Sequence, residues 1–303
     1  MYYLGIDGSA TYTKVIGMDK DMRQLGKHMG ATIRLDASGA ESARAGVAKL
    51  LKEYSKATGA RLLDCAGICI GSPSVRTHED AALLESFLRE AGAVCPVKAV
   101  NDIQIILASH TRGGPGMVIS CGIRGVGYAL DEHGATTLVG GWGHMVDDGC
   151  SAYSIGMKAI KYALMCYDGR IPATSLQEKV RDYFQIKHIT DVTDFLYNTE
   201  KFNISKIAGL AIAVKYASDE GDEAARFIEA TTSQDIFLLA SGLVRSCRLT
   251  GELLLAGNVL SLNDSIRDQF RRLFEEQHPD VSVVIASERA EMGAVYLAMQ
   301  VGV

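Results

Sequence analysis

Three stretches of this 303-residue chain place chemically capable side chains at spacings that chemistry could use. The first is Asp7-Gly8-Ser9-Ala10-Thr11-Tyr12-Thr13-Lys14, between two short β-branched and aromatic runs at 2–9 and 12–19. Small residues there let backbone N–H groups approach phosphate oxygens, and the hydroxyls add donors. An aspartate at the end of a first strand can hold Mg²⁺ through water, because this ion favours hard oxygen ligands and keeps several of its waters. A plain hairpin turn with a surface Asp would use the same residues.

The second is Val100-Asn101-Asp102 at a strand-to-helix junction. Asp102 can cap the helix, accept a proton from a substrate hydroxyl, or do both. As a base it would orient the hydroxyl for in-line attack on a γ-phosphoryl group, the main requirement of phosphoryl transfer. The third runs from Val139 through Gly140-Gly141-Trp142-Gly143-His144 and Asp147-Asp148-Gly149-Cys150-Ser151 to Tyr153. Flexible positions surround the only Trp, two acids follow, and then a helix. Such a loop is shaped to present backbone and carboxylate to a small ligand. Structural roles compete: Trp142 as a packing anchor, His144 as a hydrogen-bonded structural histidine, Asp147 or Asp148 as a helix cap.

The elements that must position these stretches read in a repeating order. Strand-like runs at 2–9, 12–19 and 24–33 precede a helical pattern from Ser38 to about Lys56. A run at Leu62–Gly71, a helix near 79–92, a strand at Val97–Asn101 and a helix from Asp102 to about His110 follow. After the turn-forming segment Thr111 to Gly116, strands at Met117–Cys121, Gly125–Asp131 and Ala135–Val139 open a second copy of the plan. A helix-rich stretch from 150 to 248 comes next, with several short helices around Asp191, Thr193, Asn203 and Asp219. It leads to strands at Glu252–Ala256 and Val281–Ala286 around a helix at 261–275, and a last helix starts near Glu288. Strands first and βαβ crossovers afterwards predict an α/β protein of two domains facing each other across a cleft, each a mixed five-stranded sheet flanked by helices.

With 48% hydrophobic and 22% charged residues the chain can bury a large core. A net charge of −5 gives no reason to expect nucleic acid or an anionic membrane as a partner. The start MYYLGIDGSATYTK lacks a leader pattern and no later run is long enough for a membrane span, so the cytoplasm is the expected compartment. Seven scattered cysteines, none in a CxxC pair, read as free and mostly buried thiols.

The segments GIDGSATYTK (5–14), VNDIQIIL (100–107) and GGWGHMVDDGCSAYSIGMKAI (140–160) together resemble the N-acetylglucosamine kinase-like branch of the BadF/BadG/BcrA/BcrD ATPase family, which has the actin, hexokinase and heat-shock-protein ATPase fold. Weaker echoes occur at Leu255-Ala256-Gly257-Asn258-Val259 and Ala290-Glu291-Met292-Gly293-Ala294. The resemblance implies two actin-like (ribonuclease H-like) domains, at 1–113 joined by the last helix (288–303) and at 114–287. It implies ATP and Mg²⁺ as cofactors, with a first phosphate loop at Asp7, Gly8, Ser9, Thr11, Thr13 and Lys14 and water-mediated Mg²⁺ at Asp7. A second phosphate loop would lie at Gly122, Arg124 and Gly125, with Gly257 beside the adenosine. Asp102 would be the base, and Ser72, Asn101, Asp102, Gly141, Trp142 and Asp148 would contact an amino sugar: N-acetylglucosamine, glucosamine or N-acetylmuramic acid. A homodimer that closes its lobes over the substrate and so excludes water is the implied form, with a role in carbohydrate metabolism.

The chain departs from the family pattern at three points. Gly122-Ile123-Arg124-Gly125 stands where relatives carry Gly-Thr-Gly-Ser, so a hydroxyl donor is replaced by an apolar group, and Arg124 could contact a phosphate or occlude its place. Gly30-Ala31-Thr32-Ile33-Arg34 has no counterpart of a sugar-contacting Asn, with Thr32 or Ile33 nearest that place. Asp148-Gly149-Cys150-Ser151 lacks one carboxylate of an acid-Glu-Gly-Ser pattern, while Asp147 stands next door. The altered loop motivates a second reading, a catalytically weakened sugar or nucleotide sensor of the same fold. A third, an activator ATPase for a radical dehydratase, needs cysteines converging on an iron–sulfur cluster, which this spacing does not suggest.

Overall fold

The computed structural model describes residues 1–9 and 11–302, those at 36–38 by backbone alone. Ala10 of the first loop and Val303 lie outside the described residues. The chain divides into two compact units, Met1–Gly116 with Ala286–Val303, and Met117–Ile285.

In the first unit β1 (Tyr2–Gly8), β2 (Tyr12–Asp19) and β3 (Gln24–Ala31) form an antiparallel meander, with Asp7 opposite Lys14 and Gly8 opposite Thr13. Helix α1 (Leu35–Thr58) leads through a short 3₁₀ turn to β4 (Cys65–Gly71). Helix α2 (His78–Glu90) leads to β5 (Val97–Val100), and α3 (Asp102–Thr111) follows. β4 is parallel to β1 and β5 to β4, giving the order β3-β2-β1-β4-β5. β1 and β4 are apolar almost throughout because helices cover both faces. Leu4, Ile6, Ile68 and Ile70 meet Leu50, Tyr54 and Leu88 of α1 and α2 on one face. On the other face Tyr3 and Cys69 meet Ile105 and Ala108 of α3. Neighbouring residues of β1 thus serve opposite layers, the period-two alternation of a strand.

The second unit opens with β6 (Gly116–Cys121), β7 (Gly125–Leu130) and β8 (Thr136–Gly140). A helical block follows: α4 (Ala152–Tyr167), α5 (Leu176–Phe184), α6 (Val192–Tyr197), α7 (Ile204–Ala208), α8 (Ala211–Asp219) and the long α9 (Glu223–Cys247). Then come β9 (Gly251–Ala256), α10 (Asn258–Leu262), α11 (Asp264–Gln277) and β10 (Val281–Ile285). Its sheet order β10-β9-β6-β7-β8 repeats the first plan strand for strand, with β9 parallel to β6 and β10 parallel to β9. The single helix expected at 261–275 is two helices. Asn263 accepts from Ile266 N–H at 3.1 Å and donates to Glu229 Oε1 at 2.7 Å, so it caps α11 and separates it from α10.

The last helix, α12 (Ala290–Val301), returns to the first unit and packs on β1, β4 and α3. Glycines permit backbone-to-backbone contact. A Cβ at Gly5 would lie 2.6 Å from Val295 N, and one at Gly293 would overlap the Ile105 carbonyl oxygen and sit 2.5 Å from Ser109 N. In an open helix Gly→Ala stabilises by up to about 1 kcal/mol. Here backbone atoms block the methyl, so Gly293→Ala should instead cost about 1–3 kcal/mol, read as a lowered urea midpoint; a raised midpoint would refute the close packing.

Candidate functional site

In open α/β sheets ligands collect beyond the carboxyl ends of the parallel strands. In the first unit those ends are Gly8, Gly71 and Val100, and each is followed by a segment that the sequence singles out. After β1 the chain turns tightly. Ser9 N–H donates to Tyr12 O at 2.9 Å, its hydroxyl donates to the same oxygen at 2.8 Å, and it accepts from Tyr12 N–H at 3.3 Å. Thr32, near the place where a sugar-contacting Asn was sought, donates to Ser9 O at 2.8 Å and so braces this loop. Lys14 Nζ stands 4.9 Å from the Tyr12 ring centroid, a cation–π contact. Thr11 is exposed, whereas Thr13 is fully buried and its hydroxyl has no hydrogen-bond partner among the described residues.

After β4, Ser72 is fully buried; its N–H donates to Val100 O at 2.9 Å and its hydroxyl accepts from Ser74 N–H at 3.3 Å. After β5, Asn101 rather than Asp102 caps α3, accepting from Ile103 N–H at 3.2 Å while its amide donates to Val75 O at 2.8 Å. The cap and the acid are therefore separate residues, and Asp102 occupies the first turn of the helix, where a carboxylate is favoured by the helix dipole.

Asp7 is the electrostatic focus of this unit. Burial, then the nearby Glu291 and Asp102 carboxylates, push its carboxyl up to about 6, while Lys14 opposes them. Glu291, on the first turn of α12, is 6% exposed, with Arg289 Nε at 3.8 Å. A group of hard oxygens that repel one another suits Mg²⁺. Among the described residues no three potential ligands converge as a closed metal cage.

In the second unit the carboxyl ends of β6 and β9 carry Gly122 and Gly257. Gly257 has φ of +91°, and a Cβ on it would lie 2.8 Å from Cys121 N, so the two strand ends touch through bare backbone. The turn after β6 is closed by Gly122 N–H donating to Arg124 O at 2.9 Å, and Gly122 O accepts from Ala152 N–H at 2.8 Å, which ties the turn to the start of α4. Ile123, where relatives carry a hydroxyl, packs against the apolar core of this unit.

Asp148, 8% exposed, fastens the third loop to this turn: its Oδ1 accepts from Gly125 N–H at 2.9 Å. Its Oδ2 is enclosed without a hydrogen-bond partner among the described residues. Burial raises its pKa, against the lowering pull of the Gly125 N–H, the Ser151 hydroxyl, Arg124 and His144. Neither acid caps α4, because Ser151 does so by accepting from Ser154 N–H at 3.0 Å. Gly140, Gly141 and Gly143 have φ of +70°, +75° and +101°, so the loop conformation requires glycine at three of four positions. Trp142 is 75% exposed, which removes the packing-anchor role and presents the ring to solvent. His144 stacks edge-on against Tyr153 with ring centroids 5.0 Å apart, as a structural histidine would.

Trp142, Asp147, Asp148, Cys150, Asp235 and Leu238 line a cavity of about 300 Å³. Aromatic surface beside convergent carboxylates is a chemistry that can take a small polyhydroxylated ligand. Asp235, from the middle of α9, was not singled out in the sequence; it pairs with Lys158 Nζ at 3.0 Å. Glu291 was seen only as part of a motif, with nothing local to mark it as a neighbour of Asp7.

The chain matches the BadF/BadG/BcrA/BcrD ATPase family over residues 4–298. It is 27% identical over 300 residues to an N-acetylmuramic acid/N-acetylglucosamine kinase of Clostridium acetobutylicum, covering 98% of each chain. It is 24% identical to an N-acetyl-D-glucosamine kinase of Dictyostelium discoideum, covering 98% of this chain and 97% of that one. Among solved structures, a candidate N-acetylglucosamine kinase from Chromobacterium violaceum aligns with a TM-score of 0.80 at 22% identity over 98% of both chains. A ROK family glucokinase from Streptomyces griseus, in complex with glucose and AMPPNP, aligns at 0.62 and 16% over 99% of both. The duplicated five-stranded plan is thus the sugar-kinase form of the actin-like ATPase fold, and with nearly its whole length matched the chain belongs to the BadF/BadG/BcrA/BcrD ATPase family.

Proposed function

We propose that this chain is an ATP-dependent sugar kinase that phosphorylates an amino sugar of the N-acetylglucosamine, glucosamine or N-acetylmuramic acid type. The observation that carries the reading is the pair Asp7 and Asp102 at the carboxyl ends of β1 and β5, which flank β4 in one sheet, close enough that Asp102 helps to push the Asp7 carboxyl up. In this reading Asp102 accepts the proton of the attacking hydroxyl and fixes its direction. Asp7 holds Mg²⁺ through water, and the bound ion supplies charge neutralisation on the phosphates.

In the loop of Gly8, Ser9 and Thr11 the Ser9 and Thr11 N–H groups are bonded within the turn, so the exposed Thr11 hydroxyl and the Lys14 ammonium are the donors to phosphate oxygens. At the turn Gly122 to Gly125 the donor is the Arg124 guanidinium, since the Gly122 and Gly125 N–H groups are bonded to Arg124 O and Asp148 Oδ1. Arg124 is read as a phosphate contact because Ile123 turns inward and leaves the turn open, a Cβ at Gly122 meeting nothing within 4 Å. Gly257 keeps the adenosine side of that turn free of side chain. The sugar is recognised by Asp148 and the backbone at Gly141, with Trp142 covering an apolar ring face. Asn101 and Ser72 act by bracing the strand ends that carry Asp102, since their polar groups are already bonded to backbone. The cytoplasmic setting and the homodimer belong to the same reading, the latter checked by sedimentation.

ADP release from Mg·ATP, measured across a panel of amino sugars and hexoses, tests the activity. Asp102→Asn should lower kcat by at least about 100-fold with nucleotide binding retained; unchanged turnover removes Asp102 as the base. Sugar binding without ADP release would support the sensor reading instead.

A second measurement concerns Asp7. Its carboxyl is raised in the folded chain, so it favours folding below its unfolded value near 3.8, and that contribution is lost as pH rises through about 6. Asp7→Asn should match wild type in stability near pH 4 and exceed it at pH 7 by up to about 3 kcal/mol, while losing Mg²⁺-dependent activity. A variant less stable than wild type at pH 7 would falsify the burial of an unfavoured charge there.

A further inference from the structure

Two of the seven cysteines, Cys65 and Cys95, meet at the amino-terminal end of the parallel strands, opposite to the end that carries Asp7 and Asp102. Cys65 is the first residue of β4, and Cys95 lies two residues before β5. The parallel register places Ile68 beside Val97, and Ile68 N–H donates to Pro96 O at 3.1 Å, so the residue before Pro96 is drawn alongside the start of β4. Both thiols belong to one apolar cluster, Cys65 buried in it at 6% exposure and Cys95 half-buried at its edge next to exposed Val94.

The Cys65 S–H has two acceptors in reach, the Gly67 carbonyl at 3.3 Å and the Cys95 sulfur. Donation to Cys95 stabilises a thiolate there and holds that thiol below the ordinary range. The same hydrogen bond, with burial second, pushes Cys65 well above it. A half-buried sulfur with thiolate character beside an enclosed second thiol is the arrangement of a redox-responsive pair. Cys121 and Cys150 also interact, but at 0% and 5% exposure both are enclosed in the core of the second unit.

We propose that Cys65 and Cys95 form a reversible thiol–disulfide modification site whose co-substrate is a low-molecular-weight disulfide of the glutathione class. The Cys95 thiolate attacks one sulfur of that disulfide, forming a mixed disulfide and releasing one small thiolate, which takes up a proton. Cys65 then loses its proton to solvent and attacks Cys95 Sγ, and the second small thiol leaves. The chain gives up two electrons and two protons, and one small disulfide becomes two small thiols. The product ties the start of β4 to the approach of β5 across the α2 connection and touches no residue assigned to phosphoryl transfer.

The test uses the full chain incubated with oxidised glutathione at neutral pH, capped with N-ethylmaleimide, digested and read by mass spectrometry. A Cys65–Cys95 linked peptide that dithiothreitol reverses is the expected product. Cys65→Ala should stop at glutathione on Cys95, and Cys95→Ser should give neither species. Cys95 left reduced in the wild-type chain, Cys95 held as the mixed disulfide there, or a Cys121–Cys150 link formed in preference overturns the proposal. The deciding readout is made on the unaltered protein, so a variant that fails to fold does not blunt it.

Discussion

The contact of α12 with β1 and α3 is the constraint on which the acid group of the first unit depends. Gly5 and Gly293 let a helix lie against a strand and another helix at backbone distance. Only at that distance does Glu291, one residue inside the helix, come near enough to Asp7 to raise its pKa. A helix held off by even one methyl group would carry Glu291 outward and leave burial and Asp102 alone to raise the Asp7 carboxyl. Packing and electrostatics are one design here: the tightest contacts create the least comfortable charges. Such charges are a cost in the unliganded fold and an attraction for a cation.

The second unit meets the analogous task without a charge cluster at its strand ends. Gly257 and Cys121 touch through backbone, and Asp148 reaches across to hold Gly125 N–H. What emerges is a turn, Gly122-Ile123-Arg124-Gly125, pinned from three sides, by β9, by the third loop and by the first residue of α4. A turn pinned in this way keeps its shape without a hydroxyl to help. That is why replacement of the usual Thr by Ile123 is structurally tolerable: the side chain goes to the core, and the shape of the turn is set by neighbours.

How much of this was legible in the sequence depends on the range of the interaction that fixes each feature. The sheets were legible because period-two burial and the strand-then-crossover order are local, and both recur in the two halves. Asn263 was missed as a helix break because its effect requires the distant Glu229 to hold its amide. Asp148 was legible as an acid in a glycine-rich loop, but its bond to Gly125 spans 23 residues and is set by the fold. Asp235 left no trace, since an acid in the middle of a long helix looks like any solvated position until the loop at Gly149 is laid over it.

The same distinction bears on the proposed chemistry. Residues named from motifs divide in the structure into those with polar atoms already spent on the protein and those without such commitments. Ser72 and Asn101 belong to the first set, each bonded to backbone through its side chain. Trp142 belongs to the second by exposure, and the Asp148 Oδ2 by the absence of a protein partner among the described residues. A buried oxygen without a donor costs free energy until a ligand supplies one. Recognition of a sugar hydroxyl at Asp148 would therefore relieve a strain already present in the fold, and specificity for the sugar would draw on an oxygen that the described residues leave unsatisfied.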